Sequence, residues 1–172
     1  GAKGDELVIT AGATESINLA FHGISGHVVT SAIEHHAVIT TAQQYNHTFV
    51  QPTKQGIITA EAITAALQPA TQLVSIQLAN NEIGTIQPLK EISLVVAAER
   101  ARRALAGETT PLYLHTDASQ GFGHIDVHVA RLGVDMITLN SGKMYGPKQV
   151  GLLWLKPGVT KQPLIFGGGQ ER

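Results

Sequence analysis

Two rhythms alternate along this chain. Short apolar runs rich in Val, Ile and Leu give way to segments whose apolar residues recur at helical spacing. Residues 6–10, 27–31, 48–50, 72–78, 111–117, 135–139 and 151–155 read as strands. The first reads as a buried strand and the last as an antiparallel one. Helices are predicted over 14–21, near 36–45, over 59–67 and over 88–105. Thr59 is placed to cap the third of these helices. Pro88 suits the first turn of the fourth, and Gly107 can end it. Leu89, Ile92, Val96 and Leu105 form the apolar side of that helix. Arg100, Arg102 and Arg103 complement the negative end of its dipole. Residues 166–169 read as a loop.

Strands separated by helices imply an α/β domain with a mainly parallel, mixed sheet and helices on both faces. Such sheets bind ligands at the carboxyl ends of their strands. The polar motifs of this chain fall at those ends, and that coincidence outweighs any one motif. No repeat, low-complexity segment or linker divides the chain.

Composition narrows the chemistry. The 172 residues carry 43% hydrophobic and 15% charged side chains, enough apolar content for an ordered core. A net charge of −1 without a basic run argues against nucleic acid. No apolar stretch approaches a membrane span, so a soluble, cytoplasmic protein is the default expectation. The chain has no cysteine, which removes disulfides, thiolate metal sites and a cysteine nucleophile within these residues.

Two runs carry the strongest signal. One ends in Asp117, and the next leads into Lys143. An acid and a lysine at successive strand ends are what pyridoxal phosphate (PLP) chemistry needs. The lysine holds the aldehyde, and the acid keeps the pyridine nitrogen protonated. An acid arriving from a buried run also needs a cationic partner. The bland alternative for Asp117 is a turn cap, and Gln120 is close enough to reach the same ligand. Gly142-Lys143 lacks a following Ser or Thr and the upstream glycine of a nucleotide-binding loop. Gly12-Ala13-Thr14 offers small residues and a hydroxyl at a helix start, which suits an anion, or else Thr14 simply caps the helix. His35 and His36 are adjacent, a spacing that does not suit a shared metal. Asn80 and Asn81 place two amides at a strand end, or else form a turn.

In order, the runs at 11–16, 34–38, 80–87, 115–120, 143–148 and 167–172 resemble the cysteine desulfurases of the NifS and IscS type. These belong to the class V aminotransferase group of PLP enzymes. The resemblance covers nearly the whole chain. It implies the PLP-dependent transferase type I large domain over residues 1–172, without the N-terminal segment and the small C-terminal domain. It implies that Lys143 binds the cofactor and moves protons at the substrate Cα. Asp117 would pair with the pyridine nitrogen, and His35 would stack on the ring and take part in acid–base steps. Gln120 would contact the phenolic oxygen, Asn81 that oxygen or the substrate carboxylate, and Ala13 with Thr14 the phosphate. Asn140 and Gly142 stand where the family places a Ser and a His for the phosphate, so Asn140 is carried over as the remaining donor. Gln149 replaces a frequent Gly.

The implied reaction converts L-cysteine to L-alanine and passes sulfur to an enzyme cysteine outside this chain. A sulfur-acceptor protein for iron–sulfur cluster or thio-modification pathways and a homodimer are the expected partners. Another class V enzyme, such as a selenocysteine lyase or an aminotransferase, and a non-catalytic module are the alternatives. No metal is expected.

Overall fold

The computed structural model describes residues 2–168. A seven-stranded sheet forms its centre. The strands are β1 (Leu7–Thr10), β2 (His27–Ser31), β3 (Asn46–Val50), β4 (Thr71–Ser75), β5 (Tyr113–Asp117), β6 (Met136–Asn140) and β7 (Gly151–Leu155). They lie in the order β1-β7-β6-β5-β4-β2-β3, which puts β5 in the middle. Neighbours from β6 through β3 are parallel, whereas β7 runs antiparallel to both β6 and β1. Two antiparallel steps restore the direction. The carboxyl end of β1 therefore shares an edge with those of β2, β4, β5 and β6.

The period-two alternation of the strands divides the core between two faces. Val28, Leu73, Met136 and Leu153 pack with α1 (Ala13–Phe21) and α2 (His36–Ala42). Val29, Val74, Leu114, Ile137 and Trp154 pack with α3 (Ala60–Ala66) and α4 (Leu89–Leu105). Helices thus cover both faces, as the alternation predicts. A short fifth helix, α5 (Val129–Leu132), precedes β6 and gives no periodic signal in the sequence.

Several local expectations change. Thr59 caps α3 through its hydroxyl, as predicted, with the Ala62 N–H as donor. Pro88 stands at the cap of α4 rather than in its first turn. Leu105 is 92% exposed, so the apolar side of α4 ends with Val96. Arg103 is 2% exposed and does more than complement the dipole. It pairs with Glu99 and donates to the carbonyls of Gln68, Thr71 and Thr110, closing the loop ends beneath the helix. Arg100 pairs with Asp135, which also accepts from the Leu114 N–H. Gly107 ends the helix at φ 71°, as expected. The helix after β2 stops at Ala42, short of 45. The segment 6–10 is an edge strand rather than a buried one, with Ile9 67% exposed. Regular pairing of β4 stops at Ser75, but Ile76 and Leu78 still donate to the carbonyls of His115 and Asp117. Of the loop expected at 166–169 and the run at 167–172, residues 169–172 lie outside the described residues.

One glycine is dictated by contact. Gly151 opens β7 between Thr10 and Asn140, and a Cβ there would stand 2.5 Å from the Gly12 carbonyl carbon. Gly12 itself adopts φ 154°, ψ 177°, a region open essentially to glycine alone. Gly151→Ala should therefore push the β1–α1 turn outward. The expected loss is about 1–3 kcal/mol of unfolding free energy, read from the urea midpoint. An unchanged midpoint would show that the turn yields freely.

Candidate active site

The strand edge described above carries a cleft of about 120 Å³. Ala13, Thr14, His35, Asn81, Asp117, Gln120, Asn140 and Lys143 all line it, together with Ala37, Gln77, Ala79 and Ser119. Residues separated by as much as the length from Ala13 to Lys143 meet because each follows the carboxyl end of a strand pointing the same way.

At the β1 side, the cap of α1 is Gly12, and Thr14 lies inside the first turn. Thr14 is therefore not the cap. Gly12 has no side chain to bond the opening amides of the helix, and they face the cleft edge with the dipole behind them. Thr10 and Ser16 share a hydrogen bond of 2.7 Å beneath this turn and hold it in place.

At the centre, Asp117 is 9% exposed. Its Oδ1 accepts from the Ser119 N–H at 3.0 Å, so the residue does cap a turn. Among the described residues no lysine or arginine pairs with it. Burial raises its pKa, while Ser119 and the nearby His35 pull it back. A buried acid in this state favours a cationic ligand.

The two asparagines separate in role. Asn80 Oδ1 accepts from the N–H groups of Glu82 and Ile83, and its amide nitrogen donates to the Ile33 carbonyl. Asn80 thus shapes the loop, and Asn81 is left to face the cleft. At the β6 end, Asn140 Oδ1 accepts from the Gly142 N–H at 3.1 Å, which leaves its amide nitrogen as the donor toward the cleft. Lys143 ends a short 3-10 turn, Ser141–Lys143, and is exposed to the cleft. On the β2 side, His35 Nδ1 accepts from the Ala37 N–H and caps α2.

Three polar residues escaped the sequence reading as site members. Gln77 and Ser119 line the cleft, and Glu34 lies behind it. The one available signal was a glutamine near the end of the apolar run at 72–78. Glu34 accepts from Ser31 Oγ at 2.6 Å and from the Gln77 N–H at 3.0 and 3.1 Å. Burial, helped by repulsion from Asp117, raises its pKa from 4.5 to about 8. Among the described residues no cluster of three or more His, Asp or Glu side chains suits a metal ion.

The sheet order, with helices on both faces and a cleft at the carboxyl ends of the strands, defines an α/β domain. Comparison with known proteins gives the family. The chain matches the aminotransferase class-V family over residues 1–172, and it belongs to that family. It is 43% identical to cysteine desulfurase IscS 1 of Archaeoglobus fulgidus over 98% of its own length and 44% of that protein. It is 39% identical to cysteine desulfurase IscS of Dictyoglomus turgidum over 99% of its length and 44% of that protein. The solved structure of SspA in complex with cysteine superposes with a TM-score of 0.89 at 36% identity, covering 99% of this chain and 50% of that one. The chain therefore spans less than half the length of the curated relatives it matches. Its fold is that of the cysteine desulfurases, PLP-dependent type I. No described helix is long and apolar enough to cross a membrane.

The pKa of Glu34 makes a pH prediction. Its folded value lies above its ordinary one, so the folded state binds this proton more tightly. Stability from Glu34 is then highest below about pH 4.5 and declines as pH rises through about 8. His115, driven down to about 3 by burial, acts with the opposite sign at lower pH. The readout is therefore the difference between wild type and Glu34→Gln. The variant should gain stability relative to wild type between about pH 5 and about pH 8, measured by urea midpoints. A difference that stays flat would show that Glu34 does not hold its proton in the fold.

Proposed function

We propose that this chain is the cofactor-binding part of a PLP-dependent cysteine desulfurase. The observation that carries the reading is the buried Asp117, with no lysine or arginine partner among the described residues, in one cleft with Lys143 and the uncapped start of α1. Those features fit the groups of PLP one by one. Asp117 suits a protonated pyridine nitrogen. The amides at Ala13 and Thr14, with the Thr14 hydroxyl and the Asn140 amide, suit a phosphate. Gln120 and Asn81 suit the phenolic oxygen, and Asn81 suits a substrate carboxylate as well. His35 offers its imidazole to the ring.

PLP, when bound, supplies an electron sink that eases removal of the substrate Cα proton. Lys143 would hold the cofactor, and its amine would take the substrate Cα proton and return it. Asp117 keeps its partner nitrogen protonated by staying ionised beside it. His35 exchanges protons at the rim.

The overall conversion takes L-cysteine to L-alanine. The C–S bond breaks, and the sulfur joins the thiol of an enzyme cysteine as a persulfide. That cysteine lies outside these residues, which contain none. SspA, a similar protein, is seen in complex with cysteine, which supports L-cysteine as the substrate. The names of the IscS relatives support delivery of the sulfur to an acceptor protein for iron–sulfur clusters or thio-modification. A homodimer in the cytoplasm completes the reading, as does a division in which residues 1–172 form part of the large domain.

The test is absorbance of the full-length polypeptide incubated with PLP and desalted. Wild type should keep a visible band, and Lys143→Ala should lose it. Asp117→Asn should keep a lysine-dependent band but weaken cysteine turnover by about a hundredfold or more. A band that persists in Lys143→Ala would move the cofactor lysine elsewhere.

A further inference from the structure

Glu34 is an unusual device for a strand end. It is 8% exposed, it lies in the turn that follows β2, and among the described residues no lysine or arginine pairs with it. Its carboxyl receives Ser31 Oγ from its own strand end and the Gln77 N–H from the segment after β4. The Gln77 side chain returns across the same gap and donates to the Ile33 carbonyl at 2.5 Å. Asn80 donates to that carbonyl too, at 2.8 Å. These bonds form a closed lattice between the two strand ends. On its cleft side stand His35, next in sequence to Glu34, and Gln77.

Burying an acid near another acid costs stability. The titratable group that acts on Glu34 is Asp117 from β5; Ser31 and Gln77 supply its hydrogen bonds. Its Oε1 accepts from both Ser31 Oγ and the Gln77 N–H, so a single atom links the two strand ends.

We propose that Glu34 is a positioning residue for the cleft: its carboxyl joins the ends of β2 and β4 and so sets where His35 and Gln77 stand relative to Asp117. The proposal rests on the cofactor reading above for its consequence, but not for its geometry. The raised pKa of Glu34 agrees with a carboxyl held away from water and near a second acid.

The experiment compares wild type, Glu34→Ala and Glu34→Gln in the full-length polypeptide. PLP affinity is read by absorbance titration. The His35 ring signals are read by NMR in protein free of PLP, and melting temperatures are read in parallel. Glu34→Ala should weaken PLP binding by about tenfold, the scale of one hydrogen bond. It should also shift the His35 signals, and Glu34→Gln should restore most of both. A lower melting temperature with PLP affinity and His35 signals unchanged would overturn the proposal, since Glu34 would then only stabilise the fold. If Glu34→Ala does not fold, Ser31→Ala removes one donor to the carboxyl and should move both readouts in the same direction. No movement there would also overturn it. A wild type without a lysine-dependent PLP band would defeat the cofactor reading instead, and the His35 signals would still decide the role of Glu34.

Discussion

A carboxyl group at the end of the middle strand, buried and with no lysine or arginine partner among the described residues, sets terms that the surrounding structure meets. Asp117 reaches its position because β5 is covered on both faces and pairs with β4 and β6 along its length. Its backbone is held from both sides: the Asp117 carbonyl accepts from Leu78, and the next residue, Ala118, donates to Thr138. The side chain is thus presented at a fixed height above the sheet, in a place where an anion alone is unfavourable. The carboxyl ends of β1, β2, β4 and β6 then bring the polar residues of the cleft around it.

The sheet topology makes that gathering possible. A parallel sheet points all its carboxyl ends one way, but β1 enters from the far edge of the chain's path. The antiparallel β7 between β6 and β1 reverses direction twice over two neighbours, so the start of α1 opens on the same edge. The close approach of Gly151 to Gly12 is the local condition for this, because the two backbones touch where β7 begins and α1 starts.

Beneath the cleft, buried side chains bond to one another across the strands. His115 bridges Ser75 and Thr138 at 2.8 and 2.9 Å, linking β4, β5 and β6 just below Asp117. Burial drives its pKa down to about 3, so it serves as a neutral bridge and adds no charge to the site. Glu34 joins β2 to β4 in the same layer. The strands are therefore tied in a row by side chains as well as by their ladders, and the rigidity required of a binding site is built from below.

By itself the sequence pointed to the alternation of strands and helices, the two-sided cover of the sheet and many of the polar side chains at the strand ends, but not to Gln77 or Ser119 as part of the cleft. Those features are legible because periodicity, caps and turn residues act locally. Leu105 and Ile9 show where that reach stops: both are apolar in a periodic context, yet both are exposed. Arg103 shows the reverse, a cation at a helix end that is buried to close a distant loop. Asn80 and Asn81 are equivalent in the sequence, and the loop back to Ile33 alone assigns one to the scaffold and the other to the cleft. Glu34 and Gln77 meet across 43 residues of chain. Burial, hydrogen-bond partners and the pairing of buried acids depend on which surfaces are brought together, and only the tertiary structure decides that.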